Sequence, residues 1–122
     1  MATIVVIESE ESIVDLLRLL LADVGYEVLA FGELAAVPED AAGDVVVADL
    51  VPLGGAYKPQ VARAWVQRIQ RRFPGRPVIV CTAHRDALAE PDRLGAAAVI
   101  GKPFDVEEFL ASVERAARGG PA

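Results

Sequence analysis

The feature that most constrains the fold of this chain is a regular alternation between short apolar runs and longer amphipathic segments. The runs are rich in β-branched residues and four to six residues long, at 3–7, 26–31, 45–48, 77–81 and 97–100. Runs of this length and composition are typical of buried strands. Strands that alternate with helical segments form parallel sheets through right-handed crossovers. We therefore predict an α/β fold, a doubly wound five-stranded parallel sheet in the order 2-1-3-4-5, with helices on both faces.

Three of the amphipathic segments carry apolar residues at three- and four-residue spacing, which indicates helices. Ser9 is predicted to cap the first helix, Pro59 suits the first turn of the second, and Asp105 opens the third in a capping-box-like start. Trp65 falls on the second stripe and is interpreted as a core anchor. The stripes comprise Ile13, Leu16, Leu17, Leu20, Leu21 and Val24; then Val61, Ala62, Trp65, Val66 and Ile69; and finally Val106, Phe109, Leu110 and Val113.

Length and composition indicate one globular domain. The chain has 122 residues, of which 53% are hydrophobic and 25% charged, a balance that suits a sheet covered on both faces. We place the domain at 1–118 and a flexible Gly-Pro tail at 119–122. Cys81, the only cysteine, lies in an apolar run and is expected to be a buried thiol.

Charge argues against nucleic acid as a direct partner. The formal net charge is −6, whereas phosphate contacts need a surplus of Lys and Arg. The one basic stretch, at 68–76, is interpreted as a solvated helix end, with a local docking patch as the alternative. Neither a signal peptide nor an apolar run long enough to cross a bilayer is present in this sequence, so we expect a cytoplasmic protein that does not enter a membrane.

Polar residues follow four of the predicted strands. Strand one leads to Glu8, strand three to Asp49, strand four to Thr82, and strand five to Lys102. In folds of this type, ligands bind beyond the carboxyl ends of the strands. A carboxylate nucleophile, a hydroxyl donor and an ammonium group together suit phosphoryl transfer.

Three segments in this order resemble the receiver domain of bacterial two-component response regulators, a flavodoxin-like fold. They are the strand 45–49 ending in Asp49, the segment 77–83 carrying Thr82, and the stretch 95–104 that contains Lys102. The resemblance implies that Asp49 is the phosphoacceptor, that Thr82 is the switch hydroxyl and that Lys102 contacts the phosphoryl group. It also implies a cis Lys102–Pro103 peptide and a Mg²⁺ site, which we assign to Glu8, Asp49 and Val51.

The chain departs from the receiver pattern at several positions. Receivers normally have two acidic residues after strand one, where this chain has Glu8 and Ser9. A hydroxyl in place of a carboxylate removes a full charge from a Mg²⁺ site, so we expect weak metal binding. Glu10 is expected to face solvent, and Glu8 could reach Lys102 instead. Val99 stands where the family has its aromatic switch residue.

We therefore interpret the chain as an atypical receiver-like module with weakened Mg²⁺-dependent phosphorylation at Asp49. It is expected not to be an enzyme, and to bind a histidine kinase or another signalling protein as a monomer or weak homodimer. Two alternatives stay open. One is a fully phosphorylatable receiver that is a fragment of a longer regulator. The other is a small flavodoxin-like ligand-binding or enzymatic domain, which is disfavoured because its Gly-rich nucleotide motifs are missing from the sequence.

Overall fold

A computed structural model describes residues 2–50 and 57–119 of the protein. Five parallel strands form one sheet in the order β2-β1-β3-β4-β5. The predicted α/β fold class and strand order are therefore confirmed. The strands are β1 (Thr3–Ile7), β2 (Glu27–Phe31), β3 (Val45–Asp49), β4 (Val78–Thr82) and β5 (Ala98–Gly101).

The described residues also contain four helices and two short 3₁₀ helices, all of which lie between strands except the last helix, which follows β5. Pro59 occupies the first turn of its helix, where its missing N–H costs no hydrogen bond. After the fourth strand only five residues are α-helical, because the chain passes into a 3₁₀ helix at Pro91. The helices are α1 (Glu11–Asp23), α2 (Pro59–Arg72), α3 (Arg85–Ala89) and α4 (Val106–Gly119), and the 3₁₀ helices are Leu34–Ala36 and Pro91–Leu94.

Alternating side chains divide the core into two layers, one on each face of the sheet. Successive residues of a strand point to opposite faces, so Val5 and Val46 join α2 in one cluster while Ile4 and Val47 join α1 and α4 in the other. The central strands β3 and β4 are buried along their whole length. Burial on both faces explains why their sequences are continuous apolar runs rather than alternating ones.

The positions at which the helices begin differ in part from the sequence prediction. Ser9 does not cap α1: the helix begins at Glu11 and its N-cap residue is Glu10, whose side chain makes no capping hydrogen bond. Asp105 behaves as predicted, since its carboxylate accepts a hydrogen bond of 3.0 Å from the backbone N–H of Glu108. The stripe of α1 is also narrower than predicted, because Leu16 and Val24 are exposed while Leu17 and Leu21 are buried.

Several other predictions concern single positions. Cys81 is a buried free thiol, and burial raises its pKa to about 12. The Lys102–Pro103 peptide is cis, as predicted. Within the part of the chain that is described, no helix is long and apolar enough to cross a membrane. Val51 and residues 120–122 lie outside the described residues, so the Val51 assignment and the flexible tail stay predictions.

Candidate functional site

Four predicted site residues lie at the carboxyl edge of the sheet because of the strand register. Asp49 ends β3 and is paired with Cys81 of β4. Thr82, the residue after Cys81, therefore lies one position beyond Asp49. Thr82 is in turn paired with Gly101 of β5, which places Lys102 immediately beyond that strand. Glu8 directly follows β1. Parallel strands thus bring groups together that are up to 94 residues apart in the chain.

Lys102 joins the two carboxylates of the site. Its Nζ donates hydrogen bonds of 2.7 Å to Glu8 Oε1 and 2.9 Å to Asp49 Oδ2. The Glu8 and Asp49 side chains are each only 4% exposed and that of Lys102 is 14% exposed. Charge-assisted hydrogen bonds of this length are strong, and they offset part of the free-energy cost of removing three charges from water. The alternative role expected for Glu8, a contact with Lys102, is therefore present together with the Lys102–Asp49 contact.

The ionisation of the site follows from this arrangement. Burial raises the pKa of Glu8 above 4.5, and the neighbouring Asp49 raises it further, against the lowering effect of the Lys102 hydrogen bond. Burial lowers the pKa of Lys102, but hydrogen bonds to Glu8 and Asp49 outweigh it, so that this pKa lies above 10.5. The ammonium form of Lys102 is thus stabilised by the carboxylates that it bridges.

Two hydrogen bonds from backbone N–H groups hold Thr82 in place. Its side chain is almost completely buried, and its Oγ1 accepts a hydrogen bond of 3.0 Å from the backbone N–H of His84. Its carbonyl oxygen accepts another of 2.9 Å from the backbone N–H of Lys102. The hydroxyl retains its own hydrogen as a donor. His84 is half-buried, and the centroid of its ring lies 5.8 Å from that of Tyr57.

Ser9 and Glu10 occupy different surroundings from the two buried carboxylates. Ser9 is exposed, and together with Glu8 it lines a polar cavity of about 500 Å³ beside α1. Glu10 is exposed as expected, while its backbone N–H donates a hydrogen bond of 3.2 Å to Glu8 Oε2. In the described residues, no three His, Cys, Asp or Glu side chains gather in a group that could hold a metal ion.

Sequence reasoning missed one contact of the site. Trp65 lies in the core as predicted, but its indole N–H also donates a buried hydrogen bond of 3.0 Å to the backbone oxygen of Asp49. The apolar stripe of α2 predicted that Trp65 faces inward. No pattern in the sequence relates it to a backbone group sixteen residues earlier.

The donor chemistry of the site fits a hard divalent cation. Glu8 and Asp49 each present a carboxylate oxygen to one shared ammonium group, so oxygens of both residues already converge on a single cation. Mg²⁺ prefers oxygen ligands, carboxylates above all. The same oxygens are occupied by Lys102, which a metal ion would have to displace or share.

Known proteins include relatives whose sequences align with nearly the whole chain. The DNA-binding transcriptional regulator NtrC of Escherichia coli K12 is 34% identical over 116 residues, which cover 91% of this chain and 24% of NtrC. The chain therefore spans about a quarter of the length of the curated relatives that it matches. No family model matches the chain.

Solved structures with the same fold also align with nearly the whole chain. A response regulator receiver domain protein from Clostridium thermocellum superposes with a TM-score of 0.75 at 25% identity, covering 98% of this chain and 96% of that one. TrrA from Thermotoga maritima, a response regulator solved in complex with Mg²⁺ and BeF, gives a TM-score of 0.72 at 23% identity, covering 94% and 98%. At the latter identity the likeness concerns the fold alone.

Proposed function

Because this chain is a receiver domain of the two-component response regulators, we propose that it is a signalling module in which Asp49 accepts a phosphoryl group. The observation that carries this proposal is the bridge of Lys102 to both Glu8 and Asp49 at the carboxyl edge of the sheet. A buried carboxylate held beside an ammonium and a hydroxyl has the groups that phosphoryl transfer requires. Receiver domains are signalling modules rather than enzymes, and we propose the same for this chain.

In the proposed transfer, a carboxylate oxygen of Asp49 attacks the phosphorus of a donor phosphohistidine. The P–N bond of the donor breaks, the imidazole leaves with its electron pair and takes up a proton, and an aspartyl phosphate forms. Lys102 remains charged and offsets the negative charge of the phosphoryl oxygens. The Thr82 hydroxyl, buried beside the strand that ends in Asp49, donates a hydrogen bond to one of those oxygens.

Receiver domains in general bind Mg²⁺, and in this chain we propose that the binding is weak. Glu8 and Asp49 would hold the ion, with Val51 as the third predicted contact, and the bound ion would neutralise charge on the phosphoryl group. Two observations support weak binding. Ser9 contributes a neutral hydroxyl where the receiver pattern has a second acidic residue, and Lys102 already occupies oxygens of both carboxylates.

We propose that the partners of the module are proteins, namely a histidine kinase or another signalling protein. The net charge of −6 supports this choice over nucleic acid. We further propose a cytoplasmic location and a monomer or weak homodimer. The alternative of a fully phosphorylatable receiver within a longer regulator draws support from NtrC, since the aligned region is only 24% of that protein.

The test is to restore the missing acid with Ser9→Asp. Ser9 lines the same cavity as Glu8, so the new carboxylate would lie beside the proposed metal ligands and increase the negative charge available to Mg²⁺. We expect about a tenfold lower Mg²⁺ dissociation constant by calorimetry, the equivalent of about 1.4 kcal/mol. Faster labelling of Asp49 by acetyl phosphate, followed by intact mass, is also expected.

The matched control is Ser12→Asp, which adds the same charge at an exposed position of α1. It should leave the Mg²⁺ affinity nearly unchanged. If wild-type protein binds Mg²⁺ as tightly as Ser9→Asp and both proteins are labelled at Asp49 at the same rate, the weak-binding proposal is wrong and the fully phosphorylatable alternative is right. If neither protein labels at Asp49 while both bind Mg²⁺, the phosphoacceptor proposal itself fails.

A further inference from the structure

Asp49 accepts hydrogen bonds from the residue after β5 and from α2, two parts of the fold that are distant from it in the chain. Its carboxylate accepts a hydrogen bond of 2.9 Å from Lys102, beyond β5. Its backbone oxygen accepts one of 3.0 Å from the indole N–H of Trp65, on α2. The carbonyl belongs to the last residue of β3, where the chain leaves the sheet. The next residue, Leu50, is fully buried, so water has no easy access to this peptide.

The Trp65 contact is more than core packing. The indole ring lies among apolar side chains of the cluster on its face of the sheet, a role that any large apolar residue could fill. The N–H is different, because a buried donor without a partner costs free energy and Asp49 supplies the oxygen. The bond also links the last residue of β3 to the middle of α2, the helix that follows it in the chain. It thereby restrains the direction in which the backbone of Asp49 leaves the strand.

We infer that Trp65 is a positioning residue for the phosphoacceptor: its indole N–H fixes the Asp49 backbone so that the carboxylate stays in line with Lys102. The inference rests on Asp49 being the reactive residue of the proposed function. Transfer to a carboxylate depends on the placement of the attacking oxygen, and small displacements of a reacting group slow a reaction strongly. Without the Trp65 bond, the carboxylate of Asp49 would keep its contact with Lys102, but the backbone oxygen at the end of β3 would lose the donor that restrains it from α2.

Two substitutions separate the N–H from the ring. A tryptophan analogue with sulfur in place of the indole N–H, introduced at position 65, removes the donor at nearly constant shape. A 5-fluorotryptophan at the same position keeps the donor and serves as its control. Ile69→Val, one turn along α2 at a fully buried position, controls for a small loss of core volume.

We expect the sulfur analogue to label with acetyl phosphate about five- to tenfold more slowly than wild-type protein, the factor of one net hydrogen bond. The 5-fluorotryptophan and Ile69→Val proteins should label at nearly the wild-type rate. A second readout does not depend on phosphorylation. In the sulfur analogue the ¹³C resonance of the Asp49 carboxylate and the ¹⁵N resonance of the Lys102 ammonium should shift or broaden, and neither should do so in Ile69→Val.

Two results would overturn the inference: unchanged carboxylate and ammonium resonances in the sulfur analogue, or resonance changes of equal size in Ile69→Val. If the resonances change as expected but wild-type protein does not label, the proposed function fails while the positioning of Asp49 by Trp65 stands. If the resonances change and labelling is slowed by the sulfur analogue alone, both are supported.

Discussion

The ammonium of Lys102 lies 2.7 Å from a carboxylate oxygen of Glu8, although 94 positions of the chain separate the two residues. The contact connects the end of β1 with the residue after β5, on opposite sides of β3 in the sheet. Because Lys102 also reaches Asp49 in the space between them, three nearly buried charges form one group with a net charge of −1 when all are ionised. Each of the three charged groups depends on the other two to offset the free-energy cost of its removal from water.

Removing the ammonium should therefore destabilise the domain. Lys102→Met leaves the carboxylates of Glu8 and Asp49, whose side chains are each 4% exposed, without the ammonium group between them. We expect a loss of about 3–5 kcal/mol in the free energy of unfolding, the range for removing one partner of a buried ion pair. The loss should shrink at acidic pH, where a carboxylate can take up a proton. Urea unfolding at pH 7 and pH 5 measures both effects.

The control for this prediction is the double variant Glu8→Gln, Lys102→Met. It removes one negative and one positive charge, so part of the stability lost in Lys102→Met should return. A double variant that is no more stable than Lys102→Met would show that repulsion between the carboxylates is not the cause.

Cys81 should make the stability of the domain fall with rising pH in the alkaline range. Burial raises the pKa of this thiol from 9.0 to about 12. Between these values the folded state retains a proton that the unfolded chain loses, so stability that is fully present below pH 9 is lost as the pH rises toward 12. The slope from this group approaches about 1.4 kcal/mol per pH unit.

Cys81→Ala isolates this contribution from those of other alkaline groups. Denaturant unfolding of both proteins at pH 7.5, 9.5 and 10.5 should give a shallower decline for the variant, whatever its absolute stability. Parallel declines in the two proteins would mean that the thiol ionises equally readily in the folded and unfolded states.

A side chain at Gly43, just before β3, should destabilise the domain. A Cβ at this position would lie 2.6 Å from Val5 Cγ2 and 3.3 Å from the backbone oxygen of Thr3. Val5 is completely buried in β1 and has no space to move away. We expect Gly43→Ala to cost about 1–3 kcal/mol in the free energy of unfolding, as overpacking in a core generally does.

Two variants make this steric prediction specific. Gly32→Ala serves as the control, because a Cβ there would have nothing within 4 Å, and it should leave stability nearly unchanged. Adding Val5→Ala to Gly43→Ala removes the methyl group that clashes, so its cost should be smaller than the sum of the two single losses. Strictly additive losses would argue against the clash.

The sequence by itself determined the sheet and the set of residues at its edge. Continuous apolar runs such as 45–48 are typical of strands that are covered on both faces, and their alternation with helices indicates that those strands are parallel. Parallel strands place their carboxyl ends together, so the residues at or just beyond the ends of β1, β3, β4 and β5 had to meet. For this reason Glu8, Asp49, Thr82 and Lys102 could be grouped from local pattern alone.

Only the tertiary structure decided which contacts these residues make. Whether Lys102 pairs with Glu8, Asp49 or both depends on rotamers and on distances between strands. The bond from Trp65 to Asp49 depends on how α2 packs on the sheet. Ser9 does not have its expected capping role because α1 begins at Glu11, one residue later than a cap at Ser9 implies. Whether two groups form a hydrogen bond depends on their donor–acceptor distance to within a few tenths of an ångström. The packing of elements that are distant in sequence sets this distance, whereas periodicity indicates only which face a residue occupies.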